Sequence, residues 1–590
     1  MRILLLFAVT ILTASAQDGA AIYKQHCAGC HDTPAARVPP LSALRAMDAA
    51  AIIRSLETGV MKTQAAGLTS SERYAVVAYL ATPAKPVAPP STAATCNAPP
   101  QPSFDGPRWS GWGAGLANTR FQDSAAAGMT ASDVPKLKLK WAFGLGAGTA
   151  VHSQPAVAGG RIFVANLTGD VYSLDANTGC VRWTFTAAAP VRSGTVLAGS
   201  SLFFGDQQAN AYAVNATTGA LLWKVHVDGH FAALITGTPQ VHGEVVYVPV
   251  SSFEEALPAS PKYECCTFRG SVVALEATTG RQVWKTYTIE APPHGASGAA
   301  VWSSPTFDEE NGMVYVATGD NYSSPATKTS DAVLALNGKT GEIVWSKQLT
   351  SGDIYNNGCA MPVKTNCPDP HGEDSDFGQP PILVTLSNGR RALVLGQKSG
   401  MAYGLDPDRQ GEILWKTSVG PGGVLGGIQW GSAADRENMY VALSGLQIGV
   451  VVDSKAPQGY SLDADPKKGG GLFALSLLTG EKRWSAPPPV CGERKHCSPA
   501  QSAAVTAIPG VVFSGSVDGH LRAYATATGE VIWDADTVRE YDTVNGPKAQ
   551  GGSLDGPGPV IAGGWLYVLS GYGQWGGTPG NVLLAFSALP

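Results

Sequence analysis

The sequence predicts an all-β eight-bladed propeller behind a small all-α N-terminal domain. Three observations lead there. One hairpin pattern recurs along most of the chain, two half-copies of it stand at the ends of that region, and a short helical segment precedes a Pro-rich stretch. Composition agrees: of 590 residues 70 are Gly and only 15% are charged, where an ordinary globular protein has ~7% Gly and ~25% charged residues. That balance excludes a disordered chain, a coiled coil and a collagen, and it describes many tight turns between strands. A net charge of −5 gives no reason to expect a nucleic-acid partner or an anionic membrane surface.

The chain opens on an address. Arg2 precedes the apolar run Ile3 to Leu12, and Ala14-Ser15-Ala16 fits a signal-peptidase site before Gln17. The run is far shorter than the ~20 residues of a spanning helix, and no later apolar stretch is long enough. Residues 1–16 are therefore expected to be a cleaved signal peptide and the protein to be periplasmic or secreted, where disulfides form.

Cys27-Ala28-Gly29-Cys30-His31 is a C-x-x-C-H. At that spacing both thiols add to the vinyl groups of haem, and His31 becomes an axial iron ligand. A helix over Gly19 to Gln25 precedes the motif. A second begins at Thr69, which Glu72 answers as a capping box, and runs to about Leu80. Met61 lies between and is the expected second axial ligand, with Met47 as the rival. Residues 17–82 thus look like a small cytochrome c domain. Residues 83–105 are rich in Pro and form a semi-rigid spacer.

Residues 106–590 hold the repeat. A Val/Ile/Tyr-rich strand leads to Thr-Gly, three residues and Trp. It occurs at Thr178-Gly179/Trp183, Thr218-Gly219/Trp223, Thr279-Gly280/Trp284 and Thr340-Gly341/Trp345. It returns at Gln410-Gly411/Trp415, Thr479-Gly480/Trp484 and Thr528-Gly529/Trp533. Gly supplies the positive φ of a hairpin turn, and the Trp can wedge between neighbouring sheets. Small antiparallel sheets at this period form a propeller. Seven hairpins are complete. Val582 to Phe586 supplies the strand before an eighth turn and Leu137 to Trp141 the strand after it, so the two ends close an eighth blade and remove both free edges.

The Trp repeat and the periplasmic address resemble the quinoprotein alcohol dehydrogenases, which hold pyrroloquinoline quinone (PQQ) on the propeller axis; assembly scaffolds without a cofactor share the repeat. The resemblance extends to ordered polar segments. Arg192, in Pro190-Val191-Arg192-Ser193-Gly194, and Thr236, in Thr236-Gly237-Thr238-Pro239, stand where the family contacts the quinone. Trp302 stands where it floors the ring, and Lys398 where a basic residue faces the quinone carbonyls. Glu255, with Glu254 as the fallback, stands where a Glu ligates calcium. Asp320 replaces the family's metal-binding Asn, and Asn321 follows it. Asp374 matches the general base that takes the substrate hydroxyl proton, and Asp376 matches the extra metal ligand of members that bind larger or more highly charged ions. An all-oxygen donor set suits Ca2+, with a lanthanide as the lesser alternative.

The adjacent Cys265 and Cys266 resemble the family's vicinal disulfide, displaced into a different loop; there they either line the pocket or staple that loop. The wording around them, with Gly426 to Gly431 and Gly580 to Leu583, is more like the polyvinyl-alcohol dehydrogenase branch than methanol-type enzymes. That branch implies oxidation of secondary alcohols along a polymer, with electrons passing to haem and on to a periplasmic acceptor such as a cytochrome c or an azurin-like protein. A PQQ dehydrogenase for small primary alcohols or sugars is the first rival, and a cofactor-free scaffold carrying an accessory cytochrome is the second. Cys359 with Cys367, and Cys491 with Cys497, are expected short-loop disulfides. Cys96 and Cys180 either pair or leave Cys180 a buried thiol. His226, His230, His294 and His371 show no metal spacing.

Overall fold

The computed structural model describes residues 19–32, 41–45, 52–53, 55–56, 61–80, 95–97, 103–146, 148, 150–290, 296–361, 363–452, 460–489, 491–492, 494 and 496–589. The signal peptide, Met47 and most of the Pro-rich spacer lie outside them. The chain divides into two compact units, one built on the residues through Ala84 and the other from Lys85 onward. Among the described residues no helix is long and apolar enough to cross a membrane.

In the first unit, helices Gly19–His26 and Ser70–Leu80 pack on each other. The capping box forms as expected: the Thr69 amide donates to Glu72 Oε2 at 2.8 Å, and the Glu72 amide donates to Thr69 Oγ1 at 3.3 Å. The core joins Tyr23, Ile52, Leu56, Leu68 and Val76, with Cys27, Ala28 and Met61 packed against it.

The second unit is an eight-bladed propeller. Each blade is built on a four-stranded antiparallel sheet, such as Ala156–Ala158, Arg161–Ala165, Asp170–Asp175 and Val181–Thr186 in blade 1, and blade 3 carries a fifth short strand, Ala233–Leu234. Blade 8 closes the ring as the half-repeats predict. Strand Lys138–Gly144 from the beginning of the unit pairs antiparallel with the C-terminal strand Val582–Ser587, so the chain ends are held by backbone hydrogen bonds and apolar burial.

The repeat residues do one job at each junction. The Trp183 indole of blade 1 lies on the Thr218-Gly219 turn of blade 2, where Gly219 has φ +74° and a Cβ would meet the ring at 2.7 Å. Only Gly satisfies both the left-handed backbone and the missing space. The same contact pairs Trp141 with Gly179, Trp223 with Gly280, Trp284 with Gly341, Trp345 with Gly411, Trp415 with Gly480 and Trp484 with Gly529. Trp533 has no such turn to meet, because blade 8 is built from the two chain ends; it packs edge-on to Phe586 at 5.5 Å instead.

A strap not apparent in the sequence stitches the blades. Trp109 exchanges backbone hydrogen bonds with Val157 of blade 1. Further along, Ser110, Leu116, Ala117, Thr119 and Arg120 accept from Leu197, Phe307, Leu383, Ala434 and Ala507, in blades 2, 4, 5, 6 and 7. The tail of the spacer is fixed as well. Thr95 pairs with Val181, and Cys96 forms a disulfide with Cys180, which settles the open pairing and makes this part of the expected spacer an integral piece of blade 1. Cys359–Cys367 and Cys491–Cys497 are also bridged.

Candidate active site

The propeller phase places one residue of each blade at the axis. His152, Arg192, Thr236, Trp302, Gly378, Gln429, Ser502 and Gly556 each stand four residues before the first strand of their blade, at Ala156, Val196, Gln240, Thr306, Ile382, Ala433, Thr506 and Val560. All eight line one or both of two adjoining cavities. The larger is about 290 Å3 and is lined by Arg192, Thr236, Glu255, Trp302, Asp374, Asp376 and Lys398 together. Segments far apart in sequence thus converge on one site.

The Trp302 ring is fixed from two sides. Its Nε1 donates to Asp376 Oδ2 at 3.1 Å, and Gly378 lies so close that a Cβ there would fall 2.1 Å from the ring. Trp430 meets Trp302 edge-to-face at 5.3 Å, the Arg192 guanidinium lies 5.2 Å over the Trp430 ring, and Trp430 Nε1 donates to Asp555 at 2.7 Å.

The acids come from loops. Asp320 follows a blade 4 strand, its amide donating to Asp376 Oδ1 at 2.6 Å. Asp374 sits at φ +61°, a left-handed conformation rare for a non-Gly residue. Asp353 holds that turn, accepting from the Ser375 amide at 2.7 Å. Lys398 Nζ donates to Asp374 Oδ1 and lies 3.8 Å from Asp376 Oδ2. Asp374 Oδ2 is buried and makes no hydrogen bond, and neither oxygen of Asp320 makes one.

Burial, joined by repulsion among neighbours, raises these carboxyls. Asp374 is pushed up to about 7 although Lys398 opposes the rise. Glu255 and Asp320 are driven well above their usual range by burial and by Asp374 and Asp376. Burial works against the Lys398 charge, but Asp374, Asp376 and Glu255 outweigh it and hold the ammonium protonated. One ammonium does not balance this many acids.

The residues fit a hard cation. Carboxylate oxygens of Asp320, Asp374 and Asp376 lie within 4.8 Å of one another, and the Asp320 oxygens have no other partner. Such a set matches an oxygen-seeking di- or trivalent ion. They also fit a flat polyanionic quinone, with an indole beneath and Arg192 and Lys398 at the wall.

Some expected residues fall elsewhere. Asn321 points away from the acids; its Nδ2 donates to the Ser297 carbonyl and its Oδ1 accepts from the Thr327 amide. Glu254 is turned into the protein, where it accepts from the Thr267 and Phe268 amides at 3.0 and 2.7 Å and from the Tyr263 hydroxyl; this leaves Glu255 facing the cavity. Cys265 and Cys266 form a vicinal disulfide that does not line the cavity. The Cys265 sulfur lies beside the Tyr322 carbonyl and the Asn356 amide, next to Tyr322, which does line the cavity. Trp430, Asp555 and Asp353 were not anticipated as parts of the site. The signal for both Trp430 and Asp555 was blade phase, since Trp430 stands one residue beyond the axial position of blade 6 and Asp555 one residue before that of blade 8.

In the first unit Cys27 and Cys30 are free thiols, and His31 is buried. Met61 packs against the same core as Cys27. These residues fit a thioether-linked haem with a His ligand and a thioether sulfur available nearby.

A propeller closed by its own first and last strands, with an acidic site floored by an indole and a separate C-x-x-C-H domain, is the build of a PQQ-dependent alcohol dehydrogenase that carries a cytochrome c domain. Comparison with known proteins agrees. The family described as outer membrane protein assembly factor BamB matches residues 124–323, 189–361 and 267–489 over the blade repeats. Cytochrome C oxidase, cbb3-type, subunit III, matches residues 14–80. A polyvinylalcohol dehydrogenase of Pseudomonas sp. is 40% identical, aligned over 97% of this chain and 93% of its own length. A second, from Sphingopyxis sp., is 38% identical over 97% and 92%. The solved quinohaemoprotein alcohol dehydrogenase of Comamonas testosteroni shares the fold at a TM-score of 0.60 and 20% identity, covering 82% of this chain and 80% of that one. The chain belongs to the polyvinylalcohol dehydrogenase family.

Proposed function

We propose that the protein oxidises secondary alcohols of the polyvinyl-alcohol kind to ketones in the periplasm. Cys27 and Cys30 would hold a haem, with His31 and Met61 as the side chains offered to its iron, and this haem would supply the route for electrons to a soluble acceptor of the cytochrome c or azurin kind. The convergence of Arg192, Thr236, Glu255, Trp302, Asp374, Asp376 and Lys398 on one cavity carries this reading. The substrate class is supported by the two relatives named polyvinylalcohol dehydrogenase. The division into signal peptide 1–16, cytochrome c domain 17–82, spacer 83–105 and propeller 106–590 belongs to the same proposal, with the spacer's end anchored on blade 1.

When bound, PQQ supplies the two-electron oxidant. Trp302 supports its ring, and Arg192, Thr236 and Lys398 meet its polar rim. Glu255, Asp320 and Asp376 hold the cation; Ca2+ is the ion proposed, and the number of carboxylates makes a lanthanide the next choice. Asp374 accepts the substrate hydroxyl proton on Oδ2, the oxygen without a partner, while Lys398 fixes the carboxylate through Oδ1. Burial and the neighbouring acids raise the Asp374 carboxyl, and a cation held beside it would draw it back toward the ionised form that a base needs.

The test is haem reduction in protein loaded with PQQ and Ca2+, followed optically as alcohols are added. Secondary alcohols, including the polymer, should reduce the haem. Reduction by ethanol-sized primary alcohols or sugars alone would defeat the substrate assignment, and no reduction by any alcohol would defeat the mechanism.

A further inference from the structure

The cavity has two chemically different arcs. Going round the ring, the acids and Lys398 come from blades 3 to 5, whereas Val424, Leu425, Leu446 and Trp575 come from loops of blades 5, 6 and 8. The second arc lies outside the blade repeat. Leu446 leads into a hairpin, Ile448–Val452 paired with Tyr460–Ala464, inserted between two strands of blade 6. Leu425, Leu446 and Ile448 pack with Ala464, Ala500 and Val517 into a separate small core.

The turn that carries Trp575 rests on that insertion. The turn Gln574–Gly576 packs on strand Tyr460–Ala464, and a Cβ at Gly576 would meet the Ala464 nitrogen at 2.8 Å. Trp575 itself is held at φ 52°, ψ 36°, a left-handed conformation that a bulky aromatic adopts only under constraint. It is nonetheless 40% exposed, and Val424 is 37% exposed. A strained, part-exposed indole beside an exposed Val, at a cavity lined also by charged and polar groups, offers apolar surface to a ligand.

We propose that Trp575, with Val424, Leu425 and Leu446, forms the subsite for the hydrocarbon chain of the substrate beyond the reacting carbon, and that it sets the preference for long over short secondary alcohols. This rests on the function proposed above. Methylene groups lie against the indole and the aliphatic side chains, while the neighbouring Gln574, also at the cavity, offers an amide to a hydroxyl further along the chain. The occupant is therefore an extended chain of alternating methylene and hydroxyl-bearing carbons.

The test compares W575G and W575F with the parent holoenzyme on 2-propanol, 2,4-pentanediol and short poly(vinyl alcohol) oligomers. Gly accepts the turn's backbone without strain, so W575G should melt no lower than the parent. Its kcat/KM ratio of oligomer to 2-propanol should nevertheless fall at least tenfold, mainly through KM, and W575F should recover most of the loss. A V424S variant should move the ratio the same way by a smaller factor. Equilibrium dialysis of oligomer against the holoenzyme without electron acceptor reads binding apart from turnover, and W575G should weaken it by a similar factor. An unchanged ratio with unchanged oligomer binding would overturn the subsite. A parent enzyme inactive on every secondary alcohol would instead overturn the proposed function, while dialysis would still decide the role of Trp575.

Discussion

The floor of the cavity and its mouth are built in different ways. The eight axial residues from His152 to Gly556 all occupy one phase of the repeat, each four positions before its blade's first strand. Most residues proposed to do chemistry stand on loops that the repeat does not share, Glu255 in a 3-10 turn, Asp320 after a strand and Asp374 on a left-handed turn, while Lys398 takes the hairpin-turn position that Leu167, Gln207 and Val517 hold in other blades. The framework repeats an apolar solution and spreads its stability round the ring. The mouth concentrates buried charge that the framework has to hold in place, and such charge is costly unless balanced.

Replacing Asp374 should separate the two regions most sharply. D374N keeps the shape but cannot take a proton at the carboxylate, so kcat should fall about 10^2–10^4-fold, the range for loss of a general base. The melting temperature should shift much less than for a framework change. A variant retaining a tenth or more of the parent kcat would remove Asp374 from the role.

The converse holds at the junctions. W284A removes a buried indole from the Gly341 turn and should cost roughly 3–5 kcal/mol by the usual large-to-small accounting. W533A, at the junction where the glycine turn is missing and the indole is half-buried, should cost about 1–2 kcal/mol, in line with partial burial of an apolar side chain. Denaturant unfolding of the two variants checks the order; equal costs would mean that the Trp–Gly contact is not what holds the blades together.

The contrast also explains what was legible in the sequence. The blade count and ring closure follow from Leu137 to Trp141 and Val582 to Phe586, because closure needs only one strand before a turn and one after it. Arg192, Thr236 and Trp302 were found by family resemblance, yet blade phase alone places them at the axis. Glu255 was preferred to Glu254 by resemblance alone, and Asp320 could not be separated from Asn321, because adjacent side chains on a loop point where the local turn sends them. In each case the outcome is set by partners distant in sequence: the Thr267 and Phe268 amides capture Glu254, and Ser297 and Thr327 capture Asn321. The strap from Trp109 to Gln122 was invisible for a related reason. About half of its bonds run through the backbone, which carries no sequence signature, and the rest through single side chains such as Arg120, Asn118 and Gln122 that follow no repeat.

The smallest effect is expected in the N-terminal unit, where local sequence rather than ring geometry governs. Thr69 and Glu72 exchange hydrogen bonds at the start of helix Ser70–Leu80. T69A removes the hydroxyl that caps the Glu72 amide and should cost about 1 kcal/mol, the usual value for an N-cap. The Thr69 backbone and hydroxyl bonds hold the Glu72 carboxyl below its ordinary value. An acid lowered in the folded state stabilises above its unfolded value, and that contribution fades as pH falls through the lowered one. The side chain is largely solvated, so the electrostatic part is small. Hydrogen exchange should therefore show about a fivefold loss of protection confined to the Ser70–Leu80 amides at neutral pH, shrinking when the measurement is repeated in acid below the carboxylate range. A loss that spread into the propeller would show that the box acts through something other than this helix end.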